Sequence, residues 1–445
     1  MTGPTVPLVE IDTPSFFADQ HGHYGRIRES SGPRRVRNPQ GLEYWLVTRH
    51  DEARTVLLDA RFSKDPQRAS GALSAAGYGV SGAGSFFLPL VNSDPPDHTR
   101  LRRLVSGAFT PRRVAALGPA VEHLTHELLD AMAERDAGPA GPDAGAAPVD
   151  LMAALAFPLP VLVISELIGV PHGNRGALLT WAARMLTVAG PGTTPASGPA
   201  ERTRRLHRWF ASLVAAKRPV VRTDVPADEQ PDLLSALVAA HAQEERLSDE
   251  ELVNLLVLLL LAGHETTTGM LGNAVDTLLR HPDQLALLRE RPELTPSAVD
   301  ELLRYETSLA RTTLRVATQD VELGGTVIPA GGIVSVALAA ANRDPDVFPL
   351  PDRLDITRER GPHLAFGHGI HFCLGAPLAR LQTETVLTAL FGRYPDLAHA
   401  DPDQPQSWRP IGDMRGLLTL PVHLGPRAPA RPVPGRPAAY PAGTA

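Results

Sequence analysis

The sequence predicts a mainly α-helical fold with a minor β region, folded as one large domain. Of its 445 residues, 43% are hydrophobic and 21% are charged, a composition typical of a soluble globular protein with a sizeable core. Helical periodicity dominates the middle of the chain. The few strand patterns are not interleaved with the helices, which argues against a doubly wound α/β sheet.

Charge and terminal composition exclude several classes of protein. Forty-three basic residues stand against 49 acidic residues, which argues against a dedicated nucleic-acid binder. Residues 1–11 lack the apolar segment of a signal peptide, and the longest apolar run, 255–262, is too short for a membrane span of about 20 residues. We therefore expect a cytoplasmic protein without a membrane anchor or a nucleic-acid partner.

One domain is predicted over residues 19–426. It follows an N-terminal extension at 1–18 and precedes a Pro- and Ala-rich tail at 427–445 that is predicted to be disordered. Two Gly- and Pro-rich stretches, 136–148 and 189–200, are predicted to be surface loops, because neither separates two self-sufficient halves.

The strongest helix prediction covers residues 248–280. Ser248 and Glu251 form a capping-box pattern at its start. Because the segment is apolar nearly all round from 255 to 261, it should run through the core. A second helix is predicted to begin at Thr295.

Strand patterns are fewer and shorter. Strands are predicted at 44–48 and at 313–317. A hairpin is predicted at 321–337, turning at Gly324-Gly325.

The only cysteine lies in a glycine-rich loop just before another predicted helix. The loop from Phe366 to Gly375 reads FGHGIHFCLG, and three glycines in ten residues indicate a backbone that approaches another group closely. A thiol at a helix N-terminus is stabilised as the thiolate, the form in which sulfur binds a soft metal. A buried, inert cysteine is the alternative.

This loop resembles the haem-binding signature of the cytochrome P450 family, Phe-Gly-x-Gly-x-His-x-Cys-x-Gly, with every fixed position filled. The resemblance implies the P450 fold, in which haem b lies between a long core helix and the cysteine loop. It also implies that Cys373 is the iron ligand and that Phe366, His371 and Gly375 contact the cofactor. A thiolate ligand donates electron density to iron and favours cleavage of the O–O bond.

A second motif lies midway along the long helix. Residues 262–267 read AGHETT and resemble the family's oxygen-activation motif. The resemblance implies that Ala262 and Gly263 lie against the haem. It also implies that Thr266 hydrogen-bonds to the oxygen being activated and that Glu265 directs protons toward it. The alternative is a Thr266 hydroxyl bonded to its own helix, with Glu265 in a core ion pair. A zinc site of the His-Glu-x-x-His type is excluded because the second histidine is missing.

Four side chains match the positions that hold the haem propionates in the family. His98 and Arg102 share one face of a helix that begins near Asp94. Arg315 precedes the predicted hairpin, and His371 lies in the cysteine loop. Cationic and histidine donors suit a pair of carboxylates.

A charged pair upstream of the cysteine loop resembles the family's Glu-x-x-Arg motif. Glu301 and Arg304 are one helical turn apart, so their side chains can pair. The resemblance adds Arg353 as the third charged member, and all three are expected to be structural.

The resemblance is nearest to actinobacterial P450s that hydroxylate or epoxidise macrolides in antibiotic pathways. No carboxylate lies between Asp65 and Asp94, so we expect a neutral, apolar or weakly polar substrate. Residues 189–200 are expected to form a mobile lid, and Arg311 is expected to be structural. The expected substrate contacts are Phe86, Phe87, Leu88, Leu258, Ser308 and Leu309.

Electrons are expected to come from another protein, because the chain has no flavin or nicotinamide fingerprint. The resemblance implies a ferredoxin and a ferredoxin reductase, which pass on electrons from NAD(P)H. Arg112, Arg113 and Arg380 are either contributors to a basic docking face or simply solvated arginines.

These observations together predict a haem-thiolate monooxygenase that inserts one oxygen atom from O2 into a C–H or C=C bond of a bulky natural product. The expected substrate is a macrolide or another polyketide, and a steroid, a terpenoid or a peptide is the alternative. A non-catalytic haem protein and a peroxide-using enzyme are further alternatives. The intact pair of Glu265 and Thr266 argues against both.

Overall fold

A helical core and a smaller sheet region form the part of the chain that the structure describes. The structure is a computed structural model, and it describes residues 8–78, 90–136, 147–186, 199–244, 247–410 and 412–428. Helices contribute most of the main cluster of buried apolar side chains, and two smaller clusters include residues of a six-stranded sheet. The predicted mainly α fold with a minor β region is confirmed.

Sixteen α-helices lie within these described ranges. They are α1 Pro14–Ala18, α2 Gln20–Arg28, α3 His50–Leu58, α4 Ser70–Ala75, α5 Asp97–Ala108, α6 Pro111–Ala116, α7 Gly118–Asp136, α8 Pro158–Ile168, α9 His172–Leu186, α10 Pro199–Lys217, α11 Leu233–Glu244, α12 Asp249–Arg280, α13 Pro282–Glu290, α14 Thr295–Tyr305, α15 Leu338–Ala341 and α16 Ala376–Arg393.

The strands form three sheets. The strands are β1 Val9–Glu10, β2 Arg34–Arg37, β3 Glu43–Val47, β4 Phe62–Ser63, β5 Val149–Asp150, β6 Arg315–Ala317, β7 Val321–Leu323, β8 Thr326–Ile328, β9 Ile333–Val336, β10 Ala398–His399 and β11 Pro421–His423. The strand orders are β1-β2-β3-β9-β6-β4, β10-β11-β5 and β7-β8. In the largest sheet, neighbouring residues such as Leu46 and Val47 belong to different apolar clusters, so both faces of the sheet are buried.

Helix α12 is the long core helix that the sequence predicts. The Ser248 hydroxyl accepts the Glu251 backbone N–H at 3.0 Å, and the Glu251 carboxylate accepts the Ser248 N–H at 2.8 Å. In the described residues, α12 alone is long and apolar enough to cross a membrane, yet 67% of its apolar window is buried inside the protein. It packs against α8, α10, α14 and α16, which makes it the central helix of the core.

The predicted hairpin is confirmed at its turn but not at its end. Gly324 and Gly325 have φ angles of 56° and 76°, a left-handed conformation that glycine adopts without strain. The hairpin ends at Ile328, because the chain then turns through Gly331 and Gly332. The following strand, β9, pairs with β3 and β6 of the largest sheet instead.

The chain before residue 19 takes part in the fold where the structure describes it. Strand β1 pairs in parallel with β2, and Ile11 is buried. Asp12 holds Arg311 through two hydrogen bonds of 2.8 Å. The segment predicted to be an N-terminal extension therefore contributes a strand and a buried ion pair. The predicted lid and tail lie mostly outside the described residues.

Candidate functional site

The cysteine loop has the tight conformation that its glycines predict. Gly367 and Gly369 have φ angles of 70° and 74°. A Cβ atom on Gly369 would lie 2.7 Å from the Leu57 carbonyl oxygen, so this position also requires close approach to the end of α3. The Phe366 carbonyl oxygen accepts the Cys373 N–H at 2.9 Å and closes the loop. Cys373 therefore lies at a fixed point three residues before α16.

The thiol environment differs from the sequence prediction in one respect. Burial of the sulfur raises the pKa of the Cys373 thiol, although the residue as a whole is exposed at the loop surface. The N–H groups of Gly375 and Ala376 and the nearby Arg102 lower this pKa, as a helix N-terminus should, but by less. In this environment the free thiol therefore favours its protonated form, and a metal ion bound to the sulfur would favour the thiolate.

One face of α12 is open midway along the helix. Ala262 is exposed, and Glu265 and Thr266 are half-buried, whereas His264 and Thr267 are buried. A Cβ atom on Gly263 would lie 3.0 Å from the Ile164 side chain. Gly263 therefore allows α8 to pack closely on α12, a role that the sequence analysis did not predict.

The motif side chains make the contacts that the sequence analysis gave as its alternative. The Thr266 hydroxyl donates to the Ala262 carbonyl oxygen at 2.8 Å. Glu265 forms an ion pair of 3.1 Å with Arg409, whose side chain is largely buried. Sequence reasoning missed Arg409, because nothing near it in the chain indicates a partner on α12.

A cluster of positively charged and histidine donors lies between α5, β6 and the cysteine loop. The rings of His98 and His371 have centroids 4.2 Å apart, and Arg102 donates to the Phe372 carbonyl oxygen at 2.8 Å. Burial, with the neighbouring His98 and Arg315, lowers the pKa of His371 to about 3. The four donors predicted from the resemblance are thus brought together.

Several nitrogen atoms of these side chains have no hydrogen-bond partner among the described residues. His98 Nε2, His371 Nε2 and Arg315 Nε are buried without a hydrogen-bond acceptor. Buried donors left in this way are unfavourable unless an acceptor meets them. Their chemistry fits the two carboxylates of a haem placed beside Cys373.

The charged pair on α14 is confirmed, but its predicted third member is wrong. Glu301 and Arg304 are joined by two hydrogen bonds of 2.7 and 2.8 Å and are almost completely buried. Arg358 is the second cation on Glu301, at 3.2 Å. Arg353 has an exposed side chain and contributes its backbone carbonyl to Arg304 and Arg358. Two arginines lie within six residues here, and sequence alone did not tell them apart.

The predicted substrate contacts are placed only in part. Phe86, Phe87 and Leu88 lie outside the described residues. Leu258 is buried in the main apolar cluster. Ser308 is buried, and its side chain lies close to Gly269 of α12. Leu258 and Ser308 therefore both make packing contacts within the protein. Leu309 is half-buried and bridges to Met414 of the C-terminal segment.

The arginines considered for a docking face divide into two groups. Arg112 is exposed. Arg113 donates to the carbonyl oxygens of Ala227 and Gln230. Arg380 pairs with Asp300 at 2.8 Å and stacks on Phe366, and these contacts give it a structural task.

The described residues contain no group of three or more His, Cys, Asp or Glu side chains that could hold a metal ion. A haem needs only one axial protein ligand, so a single cysteine beside donors suited to carboxylates fits this cofactor.

Comparisons with known proteins show the family to which the chain belongs. The family model described as Cytochrome P450 matches residues 200–409. The P450 monooxygenase PikC of Streptomyces venezuelae is 44% identical over 408 residues, which are 92% of this chain and 91% of PikC. The chain belongs to the cytochrome P450 family and is a haem-thiolate monooxygenase.

Within that family its relatives include named natural-product enzymes. The 6-deoxyerythronolide B hydroxylase of Saccharopolyspora erythraea is 41% identical, covering 94% of this chain and 99% of the relative. The tirandamycin C-bound structure of the P450 monooxygenase TamI is 39% identical, with a TM-score of 0.80 over 94% of this chain and all of that one.

Proposed function

We propose that this monooxygenase oxidises a macrolide or another polyketide in an antibiotic pathway. The observation that carries the proposal is the identity of 41% to a hydroxylase named for 6-deoxyerythronolide B, over nearly the full length of both chains. The absence of carboxylates between Asp65 and Asp94 in the sequence favours a neutral substrate. Leu309, half-buried beside the C-terminal segment, is the most accessible of the described candidate contacts.

We propose that Cys373 ligates the haem iron and that the donor cluster binds the haem carboxylates. The haem supplies the iron at which O2 is activated. Arg315, His98 and His371 would donate the buried N–H groups that lack partners among the described residues. Arg102 would join them from α5, where it already contacts the backbone next to Cys373.

We propose that Thr266 and Glu265 move protons on the open face of α12. A hydroxyl that donates to Ala262 still has lone pairs that can accept a hydrogen bond. Glu265 is 30% exposed and can exchange Arg409 for a water molecule or for the Thr266 hydroxyl.

We propose that electrons come from a ferredoxin and its reductase in the cytoplasm. Exposed apolar side chains surround the cysteine loop, including Leu58, Ile370 and Phe372. The exposed Arg112 lies on α6, which packs against α16, the helix after the cysteine loop, so it adds a positive charge on this side of the molecule. An acidic ferredoxin complements such a surface.

The experiment that tests the substrate class is an optical titration of the ferric protein with macrolactones, steroids and fatty acids. A fitting ligand changes the haem spin state and hence the absorption spectrum. We expect a saturable change with macrolactones alone. A change with steroids or fatty acids alone would retain the monooxygenase and contradict the macrolide substrate.

A further inference from the structure

Lys64 is buried beside the donor cluster, and the cluster described above does not include it. It follows β4 directly, and β4 pairs with β6, which begins at Arg315. Its ammonium donates to the Leu314 carbonyl oxygen at 3.0 Å and to the Thr313 hydroxyl. The residue is 4% exposed and Arg315 is 6% exposed, so two cations are buried at this edge of the sheet.

Asp94, the carboxylate whose charge acts most strongly on this ammonium, does not pair with it. Asp94 accepts the backbone N–H of Lys64 at 2.9 Å and the hydroxyl of Ser63, so its oxygens are held by other donors. Among the described residues, no carboxylate lies within ion-pair distance of the Lys64 ammonium. Two buried cations that share no close carboxylate are unfavourable unless an anion is bound there.

We propose that Lys64 is a haem-binding residue, whose ammonium acts beside Arg315 to neutralise a haem carboxylate. The proposal rests on haem binding at Cys373, and it adds a fifth side chain to the donor cluster. Lys64 and Lys217 are the only two lysines of the chain, which otherwise uses arginine. A lysine suits this place because its compact ammonium fits between backbone acceptors and an anion.

The electrostatics of the site couple haem binding to the charge on Lys64. Burial and the Arg315 cation lower the pKa of Lys64 to about 7, against the opposing effect of Asp94 and Asp413. His371 also faces this group from the cysteine loop. A carboxylate bound beside the ammonium raises its pKa, so haem binding should be accompanied by proton uptake near neutral pH.

The first test compares Lys64→Met with Lys217→Met in the haem-loaded protein. Lys217 pairs with Asp232 and has no contact with the cluster, so it is a matched control. We expect Lys64→Met to transfer haem to apomyoglobin about tenfold faster than wild type and to have a lower reduction potential. The control should match wild type. If Lys64→Met transferred haem at the wild-type rate and kept the wild-type reduction potential, the proposal would be overturned.

The second test does not depend on the Lys64 variant folding. Wild-type protein labelled with 13C at the lysine Cε gives two lysine signals in its diamagnetic ferrous carbon monoxide complex, and Lys217→Met assigns them. We expect the Lys64 signal to remain that of an ammonium up to the ordinary lysine pKa of about 10. Titration of that signal near neutral pH in the holoprotein would overturn the proposal. Neither result depends on which substrate is oxidised.

Discussion

The Thr266 hydroxyl donates to the carbonyl oxygen of Ala262, one turn earlier in α12. This bond fixes the rotamer and points the lone pairs of the oxygen away from the helix backbone. Beside it, Arg409 holds Glu265 in an ion pair of 3.1 Å. The contacts that look purely structural therefore also orient the two groups that the proposed proton transfer needs.

Replacement of Thr266 separates its structural role in the helix from its proposed role in proton transfer. We expect Thr266→Ala to fold and bind haem, because only one exposed hydrogen bond within the helix is lost. Its yield of oxidised product per NAD(P)H should fall at least about tenfold, with hydrogen peroxide released instead. Thr266→Ser keeps the hydroxyl and should restore most of the coupling. Unchanged coupling in the alanine variant would contradict the proton-transfer role.

Candidate site residues could be predicted where the local sequence pattern indicates their chemistry. The residues that contact them from distant parts of the chain could not. Cys373, His98 and Arg315 stand in recognisable motifs. Arg409 and Lys64 do not, because each matters through a partner distant in the chain. The rarity of lysine was the only signal for Lys64, and composition alone does not assign a role.

At the scale of elements, α14 is tied to the segment before the cysteine loop by one buried carboxylate. Glu301 binds Arg304 on its own helix and Arg358 on the following irregular segment. It also accepts the Asp355 N–H at 3.0 Å. This network fixes the path of the chain into the cysteine loop.

The network predicts different effects for the two nearby arginines. We expect Arg358→Ala to lower the free energy of unfolding by about 1.5–3 kcal/mol, because it removes a charged donor from a buried carboxylate. Arg353→Ala should change it by no more than about 0.5 kcal/mol, since that side chain is exposed. Urea unfolding measures both. A larger loss in Arg353→Ala would restore the assignment made from sequence.

Elements were predictable where a local signal defines them. The Ser248 capping box gives the start of α12, and Gly324-Gly325 gives the hairpin turn. The end of the hairpin was predicted wrongly. Residues 333–336 have a strand pattern that suits both the hairpin and the six-stranded sheet. Their pairing with β3 depends on long-range packing.

At the scale of the whole molecule, Asp300 joins α14 to the segment just before the cysteine loop and to α16. It binds Arg380 at 2.8 Å, Arg360 at 2.9 Å and His363 at 3.4 Å. Burial opposes ionisation of this carboxyl, but the hydrogen bonds from His363 and Arg380 outweigh burial and lower its pKa to about 2.

This lowered pKa predicts a specific acid sensitivity. Since the folded pKa lies below the ordinary value, the ionised form stabilises the fold above about pH 4, and this stabilisation is lost as the pH falls toward 2. We expect Asp300→Asn to cost about 2 kcal/mol at neutral pH and progressively less in acid. The exposed Asp346→Asn is the control. If the free energy of unfolding differed between Asp300→Asn and wild type by the same amount at every pH in this range, the lowered pKa of Asp300 would be contradicted.

Contacts between distant parts of the chain were beyond sequence reasoning at this scale. Asp12 and Arg311 are 299 residues apart, and nothing near either residue indicates the other. Sequence did predict that Arg311 is structural, but the buried pairing with Asp12 that makes it so comes from the fold.

The central claim is that Cys373 holds a haem as its thiolate ligand. The most direct test is the carbon monoxide difference spectrum of the reduced protein, for wild type and for Cys373→Ser. Because the chain has no other cysteine, no other residue can supply a thiolate. We predict the long-wavelength band of thiolate-ligated haem in wild type and its loss in the variant. Absence of that band in haem-loaded wild type, or its persistence in Cys373→Ser, would contradict the claim.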